Sequence, residues 1–194
     1  YLMNTIDSIK KQTYNDIEII VVNDRSTQKE YYIYDWITNN IKILHLEKNS
    51  KDIFGYVCAG YVRNKGIEKA NGDYIAFCDD DDIWFPKKLE LQIKHMEEKN
   101  IFFSCTEAYI GRLIFDKNKK YKQYLQEYYY NLLQNIFRSK KKDYIENGFP
   151  EMWNQEFQKV HNCCIASSVV VKKSILNKAG NFKEVNNGQE DKLR

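Results

Sequence analysis

The chain has 194 residues, of which 43% are hydrophobic and 14% aromatic; this composition excludes a disordered protein and suits one globular domain. The net charge of +3 comes from both signs spread along the whole length, which argues against a nucleic-acid partner. Five cysteines without a CxxC pair argue against a disulfide framework and predict a reducing, cytoplasmic location.

Hydrophobic spacing predicts alternating helices and strands over the first 106 residues. Leu2, Ile6 and Ile9 recur on one helix face, which predicts an amphipathic helix at the start of the chain. The mostly apolar run 17–22 that follows is typical of a buried parallel strand. Similar runs and stop signals predict strands over 41–46, 74–78 and 101–106, and helices over 59–70 and 86–96.

The pattern changes after Glu107. Leucine, isoleucine and aromatic residues at helical spacing over 125–137 predict a helix whose aromatic side chains pack in a core. A strand over 165–171 and a short helix over 173–179 complete the predicted elements. Because strands and helices alternate, we expect an α/β domain with a mostly parallel central sheet flanked by helices.

Four consecutive aspartates, Asp79 to Asp82, directly follow the predicted strand 74–78. Two unit charges about 4 Å apart repel by roughly 4 kcal/mol at an effective dielectric constant near 20, so either a cation or full solvation must relieve the cluster. The cluster lies at the carboxyl end of a strand, where open α/β sheets bind ligands. Carboxylate oxygens suit Mg²⁺ or Mn²⁺, especially when phosphate oxygens complete the shell. A solvated acidic loop is the alternative interpretation.

Several segments, in this order, resemble glycosyltransferase family 2, the inverting GT-A enzymes. They are IEIIVVNDRST at 17–27, VRNKGIEKANGDYIAFCDDDD at 62–82, IASSVVVKKSILNKAGNFKE at 165–184 and GQEDKLR at 188–194. The resemblance covers nearly the whole chain except 107–160. It implies the GT-A (Rossmann-like) fold, a nucleotide-sugar-binding half over 1–106, and an acceptor-binding and catalytic-base half over 107–194 that includes an acceptor-side helical insertion, all within a single domain over 1–194.

The resemblance also assigns the donor site. Asp24 would accept the N3–H group of uracil or a similar base, and Arg63 would reach the base or its neighbouring carboxylate. Asp79 and Asp80 would bind the donor, while Asp81 would hold the metal that bridges the diphosphate. From the residues alone, Asp24 is equally well interpreted as an Asx turn or a helix cap, and Arg63 as a surface residue paired with an acid on its own helix.

Glu190 and Asp191 match the acidic pair that the family uses for proton transfer. Inversion needs a carboxylate that takes the proton of the acceptor hydroxyl, and such a base contributes roughly 10²–10⁴-fold to the rate. By resemblance Asp191 is the catalytic base, with Glu190 as the second choice. An acidic pair at a helix N-terminus, stabilised by the helix dipole, is compatible with this role.

The resemblance therefore implies a metal-dependent inverting transferase that moves a sugar from a UDP- or dTDP-sugar to a glycan, lipid-linked or protein hydroxyl, using Mn²⁺ or Mg²⁺. Two alternatives stay open: a sugar-phosphate nucleotidyltransferase, and a truncated, non-catalytic nucleotide-binding module. The basic run 138–142 is interpreted as a solvated loop or helix end, with a peripheral membrane contact as its alternative. The family's first strand has no counterpart in this sequence, so we expect an unpaired sheet edge.

Overall fold

Helices and strands alternate along the first hundred residues of the computed structural model, which describes residues 1–112, 114–150 and 153–185. These elements are α1 Leu2–Lys10, β1 Ile19–Asn23, α2 Glu30–Ile33, β2 Ile41–His45, α3 Ser50–Phe54, α4 Ala59–Lys69, β3 Tyr74–Ala76, α5 Lys88–Glu98 and β4 Phe103–Ser104. The predicted α/β class is confirmed. The predicted strands begin and end within a few residues of the observed ones, with β4 shortened most.

The second half of the chain has a different organisation. Its elements are β5 Tyr109–Ile110, β6 Lys122–Gln123, a π-helical turn Tyr124–Tyr128, α6 Tyr130–Ser139, α7 Gln155–Val160, a 3-10 turn Ala166–Ser168, β7 Val170–Lys172 and α8 Lys173–Ala179. The strand predicted over 165–171 therefore begins late. Its first part forms the 3-10 turn because the Ser168 hydroxyl donates a hydrogen bond to the Ile165 carbonyl oxygen, 2.8 Å away, and competes with strand geometry.

Strand pairing is more mixed than the sequence pattern predicts. β1 and β2 pair in parallel, from Ile19 opposite Ile41 to Asn23 opposite His45. β7 lies between β3 and β4 and runs antiparallel to both. The chain leaves the end of β4, passes through the second half and re-enters the sheet from that same end, so β7 must run against its neighbours. β5 and β6 form an antiparallel hairpin.

The strands of β1–β2 and those of β3–β7–β4 form separate sheets in the described part of the chain. Among the described residues, β1 therefore has a hydrogen-bonded neighbour on one edge only. Helix α4 covers β1 closely, since a Cβ atom on Gly66 would lie 3.3 Å from Cγ2 of Val22. Side-chain packing under α4 therefore holds β1 in addition to its backbone pairing with β2.

Hydrophobic packing on both faces of β7 fixes its sheet. Val171 joins a cluster with Ile67 and Leu176 on one face, and Val170 joins Trp84 and helix α5 on the other. The second half has its own cluster, formed by Leu125, Leu133, Phe137, Ile145, Phe157 and Cys163. Of the aromatic residues predicted to pack there, Phe137 is buried and Tyr129 and Tyr130 lie against the cluster, whereas Tyr128 is 55% exposed. No helix in the described ranges has the length and apolar character needed to cross a bilayer.

Candidate functional site

The four aspartates follow β3 as an exposed loop with a fixed backbone. The side chains of Asp79, Asp80 and Asp81 are exposed, whereas that of Asp82 is partly buried. The Asp79 amide donates to the Ser167 hydroxyl oxygen at 2.8 Å, and the Trp84 indole N–H donates to the Ser167 carbonyl oxygen, also at 2.8 Å. Trp84 is buried, so it anchors the far end of this acidic loop, residues 79–82, to the turn before β7.

Helix α1 holds the same loop from the opposite side. The Thr5 hydroxyl donates to the Asp80 carbonyl oxygen at 3.0 Å, and the Trp84 amide donates to the Ser8 hydroxyl oxygen at 3.1 Å. Both α1 residues are buried. Because these bonds fix the backbone and leave three carboxylates exposed, the loop presents a preformed cluster of negative charge rather than a flexible acidic segment.

Arg63 of helix α4 contacts the first aspartate of the acidic loop. Its Nη2 lies 3.1 Å from Oδ1 of Asp79, and its guanidinium carbon lies 5.8 Å from the centre of the Phe182 ring. The Arg63 side chain is 15% exposed and that of Asp79 48% exposed, so solvent screens the pair on one side only. The structure thus brings together two of the residues that the sequence assigned to donor binding.

Electrostatic repulsion within the loop appears at Asp82. Burial raises the pKa of this carboxyl above its ordinary value, and the charges of Asp79, Asp81 and Asp80 raise it further, while a hydrogen bond with Ser167 opposes the shift. A raised carboxyl pKa means that the ionised form is disfavoured at this position. A cation bound to the loop would relieve the same repulsion.

Asp24 lies directly after β1, and its carboxylate is bound within the protein. Its two oxygens accept hydrogen bonds from the Ser50 amide at 2.7 Å and the Ser50 hydroxyl at 2.6 Å. The Ser50 hydroxyl oxygen in turn accepts from the Cys58 amide at 3.1 Å. Asp24 therefore binds the first residue of α3, a helix whose N-cap is Asn49. Two oxygens have about four lone-pair sites, so the carboxylate keeps capacity for a further donor.

A cleft of about 940 Å³ lies between the β3–β7–β4 sheet and the second half of the chain. This volume is in the range of small-molecule sites. Arg63 lines the cleft and also contacts Asp79, so the acidic loop and the cleft are adjacent. Polar and aromatic side chains of the second half line its opposite wall, including Gln126, Trp153, Gln155, Gln158, Lys159 and Asn162.

Glu107 also lines the cleft, and the sequence analysis assigned it no role. Its carboxylate accepts hydrogen bonds from the amides of Leu125 at 3.0 Å, Gln126 at 3.0 Å and Ala108 at 2.8 Å. It thereby caps the π-helical turn that forms one wall. The sequence shows only an acidic residue directly after a predicted strand. The amides that Glu107 binds lie up to 19 residues later, so local spacing does not reveal its role.

Lys88 is a second residue without a predicted role. Its Nζ lies 4.2 Å from the centre of the Trp84 ring, is buried, and has no hydrogen-bond partner among the described residues. Burial lowers the pKa of this amine to about 8, and the nearby Cys78 thiol opposes the shift. The amine is therefore a buried cation that no acceptor among the described residues compensates.

The residues predicted to hold the metal are described by the structure, whereas those predicted to act as the catalytic base are not. Within the described ranges, no three histidine, cysteine or acidic side chains are grouped closely enough to form a metal site by themselves. The exposed oxygens of Asp79, Asp80 and Asp81 are nonetheless the hard donors that Mg²⁺ and Mn²⁺ prefer, if ligand oxygens complete the shell. Glu190 and Asp191 lie outside the described residues.

Comparison with known proteins gives one family. The model of glycosyl transferase family 2 matches residues 1–176. The chain is 38% identical over 109 residues to a putative teichuronic acid biosynthesis glycosyltransferase, TuaG, of Bacillus subtilis, a match that covers 55% of this chain and 40% of TuaG. It is 37% identical over 110 residues to the UDP-Glc:alpha-D-GlcNAc-diphosphoundecaprenol beta-1,3-glucosyltransferase WfaP of Escherichia coli, which covers 56% of this chain and 41% of WfaP.

A solved structure shows the same fold. The crystal structure of residues 1–349 of S. aureus TarS aligns with a TM-score of 0.61 and 18% identity, covering 98% of this chain and 49% of TarS 1–349. The complex of that protein with UDP-GlcNAc aligns equally well, covering 47% of its chain. This chain therefore matches less than half of the length of each of these proteins.

Proposed function

Because this chain belongs to glycosyl transferase family 2 and has the GT-A fold, we propose that it transfers a sugar from a UDP- or dTDP-sugar to an acceptor hydroxyl, with inversion and with Mn²⁺ or Mg²⁺. The family membership and the fold class confirm what the sequence motifs predicted. What we propose beyond the family and the fold is the stereochemistry of the reaction, the donor, the metal and the acceptor.

The observation that carries the proposal is the contact between Arg63 and Asp79 at 3.1 Å. It joins the exposed acidic loop to the wall of the cleft, so a diphosphate on the loop would have its attached sugar directed toward the cleft. In this arrangement Asp79 and Asp80 bind the donor, and Asp81 holds the cation. A divalent cation bound there neutralises the charge that builds on the departing nucleoside diphosphate.

The base of the donor is assigned to the end of β1. Asp24 accepts the N3–H group with the capacity that its bonds to Ser50 leave free. Two comparisons support a UDP-sugar over a dTDP-sugar: the name of WfaP specifies UDP-Glc, and TarS was crystallised with UDP-GlcNAc.

The acceptor is assigned to the cleft, and the base to Asp191, with Glu190 as the second choice. Inversion requires the acceptor hydroxyl to attack from the side opposite the leaving diphosphate, while the carboxylate takes its proton. The wall formed by 125–126 and 153–162 would bind the acceptor glycan. The name of WfaP, whose acceptor is a diphosphoundecaprenol-linked sugar, supports a lipid-linked acceptor. The chain thus divides into a donor half over 1–106 and an acceptor half over 107–194.

Donor binding can be tested by thermal unfolding with UDP-Glc, UDP-GlcNAc and dTDP-Glc, each with and without Mn²⁺. A donor at about 100 times its Kd should stabilise the protein by about 2.7 kcal/mol. We expect this gain to disappear in Asp81→Asn and on chelation. Asp73→Asn is the matched control, because Asp73 is also exposed but precedes β3, at the end of the strand away from the acidic loop.

Product analysis separates the alternatives. Release of a nucleoside diphosphate with a β-linked product from an α-linked donor supports the transferase. Release of pyrophosphate from a nucleoside triphosphate and a sugar phosphate would instead identify a nucleotidyltransferase. Donor binding without turnover, unchanged by Asp191→Asn, would identify a non-catalytic module and contradict the proposal.

A further inference from the structure

The β5–β6 hairpin carries a concentration of unpaired positive charge. We define it as residues 109–123, all described except residue 113, with Tyr109 opposite Gln123 and Ile110 opposite Lys122. Its one acidic residue, Asp116, is engaged within the loop, where its carboxylate accepts from the Asn118 amide at 3.0 Å. Five cations are exposed and form no ion pair with any described residue; they are Arg112, Lys117, Lys119, Lys120 and Lys122.

Apolar side chains are exposed beside these cations. Ile114 is 64% exposed, Tyr109 53% and Phe115 42%, and Phe85, which precedes Pro86, is 54% exposed. The three aromatic rings are in contact: the centre of the Phe85 ring lies 6.0 Å from that of Tyr109 and 6.2 Å from that of Phe115. Phe85, Tyr109 and Phe115 thus form a contiguous aromatic patch on the hairpin that carries the lysines, and the exposed Ile114 adjoins Phe115 in the sequence.

Contacts among the described residues of the hairpin keep its apolar groups exposed. The Phe115 ring stacks on that of Tyr121 at 5.6 Å, and the Tyr121 hydroxyl oxygen accepts from the Asp116 amide at 2.8 Å. A Cβ atom on Gly111 would lie 3.0 Å from the Tyr121 ring, so glycine allows this ring to cross the hairpin. The stack supports Phe115 from below while Ile114 stays in solvent.

We propose that the hairpin 109–123, together with Phe85, docks on the surface of an anionic phospholipid membrane. Unpaired lysines attract anionic headgroups, and aromatic and aliphatic side chains among them enter the interface between headgroups and acyl chains. A nucleic-acid or acidic-protein partner would need the charges but not the exposed isoleucine and phenylalanine. The basic run 138–142 fits this surface less well, since Arg138 pairs with Glu146 at 3.6 Å and the run ends helix α6.

Docking through the hairpin would also place the acidic loop near the membrane surface. Phe85 follows Asp82 by three residues, so its Cα lies at most about 11 Å from that of Asp82 along the chain. The membrane surface would then lie close to the acidic loop. This inference rests on the proposed function in one respect: a surface-bound enzyme can reach a lipid-linked acceptor by two-dimensional diffusion.

Vesicle co-sedimentation tests the proposal without turnover. We expect the protein to bind vesicles of phosphatidylglycerol and phosphatidylcholine in equal parts and not vesicles of phosphatidylcholine alone. The triple variant Lys117→Gln, Lys119→Gln, Lys120→Gln should bind on the order of 100-fold more weakly, since each cation contributes roughly fivefold. Ile114→Asn, which leaves the charge unchanged, should reduce binding by roughly tenfold.

The matched control is the triple variant Lys140→Gln, Lys141→Gln, Lys142→Gln, which removes the same charge from another exposed run and should keep wild-type binding. The proposal is overturned if both triple variants lose binding equally, if the wild type binds neither kind of vesicle, or if Ile114→Asn has no effect. The last result would point to a site for soluble polyanions, which competition by inorganic polyphosphate would identify. Donor binding, measured on the same variants, should be unchanged, so failure here is distinguishable from failure of the transferase proposal.

Discussion

Replacing Lys88 by methionine should stabilise the protein. The amine of Lys88 is buried and has no hydrogen-bond partner among the described residues. The Trp84 ring, 4.2 Å away, is the favourable contact that its charge makes. Removing an uncompensated buried charge while keeping a side chain of similar length and volume is commonly stabilising. Methionine can also keep its contact with the indole ring.

The size of the effect follows from the pKa. Burial lowers the pKa of Lys88 from the ordinary lysine value of 10.5 to about 8. Since one pKa unit corresponds to about 1.36 kcal/mol, the protonated amine destabilises the folded state by roughly 3 kcal/mol near pH 7. Between about pH 8 and 10.5 the unfolded state binds more protons than the folded state at this group, so the penalty diminishes as the pH rises. Near pH 9.5 the stabilisation of Lys88→Met should be only about 1.5 kcal/mol.

Urea unfolding followed by far-ultraviolet circular dichroism, near pH 7 and near pH 9.5, measures both values. The two proteins must be compared at each pH, because burial raises the pKa of the Cys78 thiol to about 12 and makes the stability of both fall as unfolded thiols ionise. Lys87→Met is the control, since Lys87 is exposed and the change should alter stability by less than about 0.5 kcal/mol. A destabilised Lys88→Met protein, or a gain independent of pH, would refute the reasoning.

Three further substitutions test the site. Arg63→Met should weaken donor binding by at least about tenfold while changing stability by less than about 1 kcal/mol, because its ion pair is partly exposed; Lys65→Met, on the same helix, should leave calorimetric donor affinity unchanged. Ser167→Ala should lower the free energy of unfolding in urea by about 1–2 kcal/mol, because the Asp79 amide, the first of the acidic loop, loses its acceptor. The metal-dependent thermal stabilisation by the donor should also decrease. Unchanged donor binding would show that the loop does not need this hydrogen bond. Glu107→Gln should lower the free energy of unfolding by about 1–2 kcal/mol and accelerate limited proteolysis of the second half, because two amides of the π-helical turn lose a charged acceptor. Glu98→Gln, a change at an exposed position, should have neither effect.

The acidic loop was predictable because its signals are local. The apolar run that forms β3 and the four aspartates after it are contiguous in the sequence, so periodicity and charge were enough to locate the acidic loop. The family resemblance assigned Arg63 and Asp79 to the donor site, but it did not predict that these two residues, 16 positions apart, contact each other. The prediction that the aromatic residues of the second half pack in a core also rests on local helical spacing, and Phe137 and Phe157 lie 4.7 Å apart.

The remaining features depend on contacts between distant segments. Ser167 has no catalytic partner in the sequence, and its role as an acceptor for Asp79 emerges only when segments 88 residues apart meet. The direction of β7 is equally hidden, because an apolar run reads the same whether it pairs in parallel or antiparallel. Asp24 shows a third limit. Spacing alone does not distinguish a carboxylate that binds Ser50 at the start of α3 from one that binds a nucleobase.

The position of β7 has a consequence for synthesis of the chain on the ribosome. β7 is the central strand of its sheet, yet Val171 pairs with Ile75, which is translated almost a hundred residues earlier. Until residues 167–172 emerge, β3 and β4 have no partner between them, and the acidic loop lacks the serine that holds it. Such long-range pairing folds slowly and leaves apolar strands exposed during translation. The nascent chain therefore acquires its fixed acidic loop and its central sheet in a single late step.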